Sequence, residues 1–197
     1  MRLVCISDTH NRTDGLVIPD GDVLIHAGDF CGHGVDHEVE GFGQFLSALP
    51  HKYKIVVAGN HDWPFYRSDS AYIREFKKEF IYLEDSETTI DGVKFYGSPW
   101  QPEFFNWAFN LPRGETIARK WREVPTDTDI LITHGPPFGI LDFLPNGVSV
   151  GCEDLAAEVL YRVQPKVHVF GAYPLRVRSL LSGADYLRKR FNLYRRL

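Results

Sequence analysis

Short apolar, β-branched runs punctuate the chain at Leu3 to Ile6, Val23 to Ala27, Lys54 to Ala58, Ile130 to Thr133 and Val167 to Phe170. Apolar residues dominate each run instead of alternating with polar ones, which is the pattern of strands buried on both faces. Between them the period changes. Phe42, Phe45, Leu46 and Leu49 recur at helical spacing, and the stretch from Glu153 to Val163 puts Leu155, Val159 and Leu160 on one side of a second helix. Asp91-Gly92, set between Thr88-Thr89-Ile90 and Val93-Lys94-Phe95, predicts a β-hairpin. Strands alternating with helices, with one hairpin in the middle, predict an α/β layered fold. That alternation alone fits either a two-sheet sandwich or a doubly wound single sheet.

Composition narrows the class. With 197 residues, 44% hydrophobic and 24% charged, the chain has the makings of one globular domain with a substantial core. The first apolar run is too short for a signal peptide, and no stretch approaches the roughly 18 apolar residues of a membrane span. A soluble, cytoplasmic protein without a membrane partner is therefore expected. Cys5, Cys31 and Cys152 are odd in number and share no short spacing, so they read as reduced thiols and not as a disulfide framework or zinc site. The net charge of −4 is unevenly spread: from Ala172 onward seven Lys or Arg face a single acid, Asp185. The acidic body that precedes this tail repels phosphate backbones, so no nucleic-acid partner is expected.

The chemistry lies just past the end of each strand. Leu3 to Ile6 runs into Ser7-Asp8-Thr9-His10, Val23 to Ala27 into Gly28-Asp29, Lys54 to Ala58 into Gly59-Asn60-His61-Asp62, and Ile130 to Thr133 into His134-Gly135-Pro136-Pro137. Ligands of α/β sheets bind where the carboxyl ends of strands converge. Carboxylate, imidazole and amide oxygen suit manganese, iron or zinc, and one aspartate can bridge two ions. Two ions about 3.5 to 4 Å apart stabilise both oxygens of an in-line displacement at phosphorus. Taken singly, each of these residues is an ordinary turn or cap residue; four strand ends all carrying metal-type donors are not explained by turns. His26 and His168 sit inside apolar runs and read as core histidines, and His33, His37 and His51 as surface ones. Trp100, Trp107, Phe104, Phe105 and Phe109 fit either an aromatic wall for a nucleobase or aryl group or simple core, and both readings stay open.

Asp8-Thr9-His10, Gly28-Asp29, Gly59-Asn60-His61-Asp62 and His134-Gly135-Pro136-Pro137 together resemble the calcineurin-like metallophosphoesterase superfamily, over residues 3 to 171. Gly97-Ser98-Pro99-Trp100-Gln101-Pro102 and Asn106-Trp107-Ala108-Phe109-Asn110 resemble the small metallophosphoesterase-domain subgroup related to vertebrate brain cyclic-nucleotide phosphodiesterases. The resemblance implies an α-β-β-α sandwich of two mixed sheets and a cofactor of two divalent metal ions, manganese, iron or zinc. It implies that Asp8 and His10 bind the first ion, Asp29 bridges, and Asn60 and His134 bind the second, with a bridging hydroxide as nucleophile. His61 would steady the developing charge or protonate the leaving oxygen, with Asp62 orienting it. The implied substrate is a small phosphoester, and a nucleotide-type phosphodiester in particular.

The resemblance stops at Gly171. The family pattern has Gly-His-x-His after the last strand, one histidine for each metal, where this chain has Gly171-Ala172-Tyr173-Pro174. Gly171-Ala172-Tyr173-Pro174-Leu175 can be encoded as GGG GCA TAT CCA CTC, and the same bases read one position later give Gly-His-Ile-His. The same offset permits Ser-Gly-Tyr-Gly across Leu175 to Arg178 and Tyr-Val-Asn-Ala-Ser across Tyr186 to Phe191, both like the family's continuation. Residues 1–171 are thus read as a metallophosphoesterase domain and 172–197 as a divergent, frame-shifted basic tail, with the family's C-terminal strands lost or altered. On that tail Ala184, Leu187, Phe191 and Tyr194 would share one face of a basic helix. With each metal short of one nitrogen donor, weakened turnover is expected. The alternative is a catalytically dead metal-binding or interaction protein on the same fold.

Overall fold

The computed structural model describes residues 1–67, 70–171 and 193–195. Four strands, β1 (Leu3–Ile6), β2 (Val23–Ala27), β3 (Tyr53–Val57) and β4 (Ile81–Tyr82), form one sheet in that order, parallel throughout. The third begins and ends one residue earlier than the apolar run predicts, because Ala58 leaves the ladder to start the loop through Gly59 and Asn60.

The second sheet uses β5 (Ser86–Ile90), β6 (Val93–Ser98), β9 (Ile130–Thr133), β10 (Val167–Phe170) and β11 (Leu193–Arg195); β7 (Gln101–Pro102) and β8 (Asn110–Leu111) pair as a separate two-stranded ribbon. This larger sheet runs in the order β11-β10-β9-β6-β5 and is mixed: β6, β9 and β10 are parallel, while β5 and β11 close its edges antiparallel. Of the two sheets implied by the resemblance, one is therefore mixed and the other parallel. Asp91 and Gly92 make the expected hairpin turn, both with positive φ, 49° and 78°, as a two-residue type I′ turn requires.

Alternate side chains of the doubly buried strands sort into layers. Val23, Ile25 and Ala27 face the second sheet and pack with Ile55, Val57, Phe95, Ile130, Ile132 and Val169. Their neighbours Leu24 and Val56 turn outward onto Phe42 and Leu46 of α1 (Asp36–Ser47) and Ile73 and Phe76 of α3 (Ala71–Glu79), α2 (Trp63–Arg67) lying between these helices in sequence. The outer face of the second sheet buries Tyr96 and Leu131 under Ile117 and Trp121 of α4 (Glu115–Arg122) and Leu155 and Val159. Leu155 belongs to α5 (Glu153–Ala157), which continues as a π-helical turn over Glu158–Arg162, so the helix predicted to Val163 is present in two geometries. The result is the α-β-β-α layering. Among the described residues no helix is long and apolar enough to cross a membrane.

Beyond Gly171 the described backbone is β11, antiparallel to β10 with Val169 opposite Leu193. Tyr194, expected on a helical face, is therefore in extended chain; the rest of that expected helix, and the Ala172-Tyr173-Pro174 substitution itself, lie outside the described residues.

Candidate metal centre

The parallel registers set the strand ends level, with Ile6 beside His26, Ala27 beside Val57 and Thr133 beside Phe170. The loops that leave them are turned sharply. Asp8, His10, Asn11 and Asp29 hold positive φ angles of 54°, 45°, 57° and 58°, a conformation that costs a non-glycine residue about 1 kcal/mol or more. Backbone bonds hold it: Asp8 N–H donates to the Gly28 carbonyl at 2.9 Å, His10 N–H to Asp29 at 3.0 Å and Asn11 N–H to Phe30 at 2.7 Å. The first two loops are laced together so that Asp8, His10 and Asp29 all line one cleft, with Asn60, His61, Gln101, Phe104, Trp107 and His134.

The three histidines are set alike. Nδ1 of His61 lies 2.9 Å from the Gly32 carbonyl, that of His134 2.9 Å from the Ala27 carbonyl, and that of His10 3.4 Å from the Cys31 carbonyl. A carbonyl only accepts, so each Nδ1 carries the hydrogen, and whenever a ring is neutral its lone pair is on Nε2. The Nε2 atoms converge on Asp29: His134 is 3.4 Å from Oδ1, while His10 and His61 are 3.9 and 4.0 Å from Oδ2. Two groups of donor atoms close to within 4.8 Å of one another, Asp8-Asp29-His134 and His10-Asp29-His61. Asn60 joins the former, its Oδ1 3.1 Å from His134 Nε2. Among the described residues Asp29 alone belongs to both groups, one oxygen toward each. Whereas the resemblance pairs Asp8 with His10, here Asp8 stands with His134, which is also its largest charge partner.

Glycines make the room. A Cβ on Gly28, whose φ is +94°, would lie 2.4 Å from His134 Nδ1; one on Gly59 would lie 2.4 Å from Asp29 Oδ1; one on Gly171 would lie 2.9 Å from His134 Nδ1.

Asp62 does not touch the His61 ring, contrary to the orienting role expected for it. The turn closed by Asp62 N–H on the Gly59 carbonyl carries its fully buried carboxylate beneath the ligand loops, where it accepts from the amides of Gly59 (2.7 Å), Cys31 (2.8 Å) and Asp29 (2.9 Å). The partner of His61 is the Gly32 carbonyl.

Burial and close charges shift the carboxyls and the central histidine strongly. Burial raises the pKa of Asp8, and burial together with the neighbouring Asp29 charge raises that of Asp62, against the pull of the Cys31 and Gly59 amides. Burial opposes ionisation of Asp29 as well, but His134 outweighs it and holds the carboxyl at about 2. His134 is the counterpart: burial works against its charge, yet Asp29 and then Asp8 push it up to about 10. No Lys or Arg is among the residues lining the cleft. Crowded carboxylates, three convergent imidazoles and an amide oxygen fit borderline divalent ions.

Other expectations resolve individually. His26 and His168 are buried, bonded to Thr9 Oγ1 (3.0 Å) and Thr133 Oγ1 (2.9 Å), and burial pushes both down to about 3, so they are neutral core residues. His33 and His37 are exposed, but His51 is not: it is 2% exposed with Nε2 at 3.1 Å from the Pro19 carbonyl, a loop contact no local pattern announces. The five aromatic residues divide. Phe109 is core, Trp100 is half-buried and donates to Asp85, Phe105 is exposed outside the cleft lining, and Phe104 and Trp107 line the cleft, Trp107 with its ring 4.2 Å from that of His61. Sequence reasoning passed over Glu38, whose only signal was an acid in the first turn of a helix, and gave no site role to Gln101, a cleft residue quoted only within the Gly97 to Pro102 motif.

A family model for calcineurin-like phosphoesterases matches residues 1–171. The chain is 48% identical over 193 residues to human metallophosphoesterase domain-containing protein 1, a match that covers 86% of this chain and 59% of that protein. With UPF0046 protein T07D4.2 of Caenorhabditis elegans it shares 38% identity over 200 residues, covering 87% of this chain and 50% of the relative. The chain thus spans only half to three fifths of the length of these relatives. A solved structure from Aquifex aeolicus, of the protein of unknown function AQ665, aligns over 68% of this chain and 77% of its own with 22% identity and a TM-score of 0.37. The model match across residues 1–171 and the relatives near 40 to 50% identity place the chain in the calcineurin-like phosphoesterase family.

Proposed function

We propose that this chain is a metal-dependent phosphoric ester hydrolase of the phosphodiesterase type, acting on a small nucleotide-like phosphoester, with activity weakened by the departure after Gly171. The observation that carries the reading is Asp29, whose two carboxylate oxygens face two separate donor groups. Asp8, His134 and Asn60 would hold one divalent ion and His10 a second, with Asp29 between them. Bound there, such ions supply Lewis acidity toward a phosphoryl oxygen and make a water nucleophilic near neutral pH. His61 presents Nε2 to the cleft while Nδ1 is fixed on Gly32. In its imidazolium form His61 would pass the Nε2 proton to the leaving oxygen as the bond from phosphorus breaks and one from water oxygen forms, the water's proton leaving to solvent and the ring returning to its neutral Nδ1–H form. Trp107 holds the ring from one side, and with Phe104 offers a flat apolar wall to a base or aryl group.

A second reading, a metal-binding protein without turnover, is favoured by one feature: Ala172-Tyr173-Pro174 supplies no imidazole where the family pattern has two. Hydrolysis of bis-para-nitrophenyl phosphate with added manganese separates them, comparing this chain with one continued in the Gly-His-Ile-His frame. Weak turnover by the chain and strong turnover by the continued version support the hydrolase reading. Manganese binding with no turnover by either version leaves the second.

A further inference from the structure

Glu38 is 3% exposed, in the first turn of α1, and belongs to none of the donor groups. Its two oxygens collect four consecutive amides: Oε1 accepts from Gly32 (3.3 Å) and His33 (3.1 Å), Oε2 from His33 (3.1 Å), Gly34 (2.8 Å) and Val35 (3.2 Å). A buried carboxylate satisfied in this way is a fixed anchor, since removing it strands four amides. What it anchors is the loop whose opposite groups serve the cleft. With the amides of Gly32 to Val35 turned toward Glu38, the carbonyls of Cys31 and Gly32 are free to face the rings, and they are the acceptors for Nδ1 of His10 and His61. Gly34 is pressed against the same turn: with φ at +72°, a Cβ there would lie 2.8 Å from the His61 carbonyl.

We propose that Glu38 is a positioning residue for His10 and His61: by clamping the Gly32–Val35 amides it fixes the two carbonyls that keep both rings in the Nδ1–H tautomer, with Nε2 lone pairs turned to the Asp29 side of the cleft. The consequence for cation affinity rests on the metal reading above; the tautomer does not. Partners that orient ligand histidines typically change metal affinity by about 10- to 100-fold when lost.

The test uses the full chain in three forms: parent, Glu38→Gln, and Asp142→Asn. Asp142 is an equally buried carboxylate that braces a different loop through Gly139 and Gly151, so its substitution controls for lost stability. Imidazole nitrogen correlation spectra of the metal-free chains report the tautomers, and calorimetric titration with manganese alone reports affinity. Glu38→Gln is expected to release His10 and His61 into mixed tautomers and to weaken manganese binding about tenfold or more, whereas Asp142→Asn lowers the melting temperature without moving either ring. The proposal is overturned if Glu38→Gln keeps both rings in the Nδ1–H form at parental affinity, or if Asp142→Asn disturbs them as much. Should Glu38→Gln not fold, Glu38→Asp keeps the charge but retracts it by one methylene, and the same ring and affinity readouts decide. A parent that binds no manganese removes the metal reading, while the tautomer result still judges Glu38.

Discussion

Gly59 shows how residue identity at the centre is set by space. Its backbone needs no unusual φ, yet an added Cβ would meet Asp29 Oδ1 at 2.4 Å and the Asp29 amide at 2.6 Å. Gly59→Ala must therefore displace the shared carboxylate. We expect a destabilisation of about 1–3 kcal/mol in urea unfolding and loss of manganese binding in titration; parental affinity would mean that Asp29 is free to move. Asp62 tests a different role. An asparagine there offers one oxygen to three amides and turns an NH2 toward a donor. Asp62→Asn is expected to cost about 2–4 kcal/mol, whereas His61→Ala, which removes no brace, leaves stability close to parental while abolishing hydrolysis. Equal unfolding midpoints for Asp62→Asn and the parent would return Asp62 to the catalytic role expected from its motif. That role fails in the structure for a physical reason: adjacency along Asn60-His61-Asp62 says nothing of which way a turn throws its last side chain.

Elements differ in how plainly the chain announces them. The Asp91-Gly92 hairpin is legible because the turn geometry admits few residues, and its energetics are equally local: a Cβ on Gly92 meets nothing within 4 Å, but φ is +78°. Gly92→Ala is expected to cost about 1 kcal/mol in unfolding experiments without touching hydrolysis. The buried strands are legible from continuous apolar runs, and the candidate metal donors from their place just past those runs. Loops braced by one buried carboxylate are not legible, since Glu38 and Asp142 look in sequence like any solvent-facing acid. They do leave a pH signature. Burial works against each charge, but the amides around Glu38, and Ser149 with the Gly139 and Gly151 amides around Asp142, outweigh it and hold both carboxyls below their ordinary 4.5 and 3.8. A depressed folded pKa contributes stability that is present above the unfolded value and lost as pH falls through the folded one. Melting temperatures taken from about pH 6 down to about pH 3 should fall for the parent, and fall less for Asp142→Asn, which has already lost its share; parallel curves would remove Asp142 from the account.

At the scale of the whole molecule, the sheets meet through one core and the cleft opens where their strand ends converge, so the centre draws on loops from both. Sequence periodicity could not distinguish two sheets from one, because a strand buried between sheets and a strand buried between helices carry the same apolar run; the family motifs made that distinction. The tail raises the remaining question of how much the centre owes to residues past Gly171. Asp8, His10, Asp29, Asn60, His61 and His134 all precede it, as does Glu38. What the described tail contributes is an edge: β11 covers the backbone of β10, with Val167, His168 and Val169 opposite Arg195, Tyr194 and Leu193. A chain ending at Gly171 should then keep manganese affinity to within about threefold, because its donors and their braces are intact. It should also self-associate, because the bared β10 edge presents unpaired N–H and C=O groups to other chains. Calorimetry and light scattering on the shortened chain measure the two effects separately. Retained binding with new association assigns the tail to edge protection; lost binding in a monomeric chain would mean that residues past Gly171 supply donors although none of them is histidine.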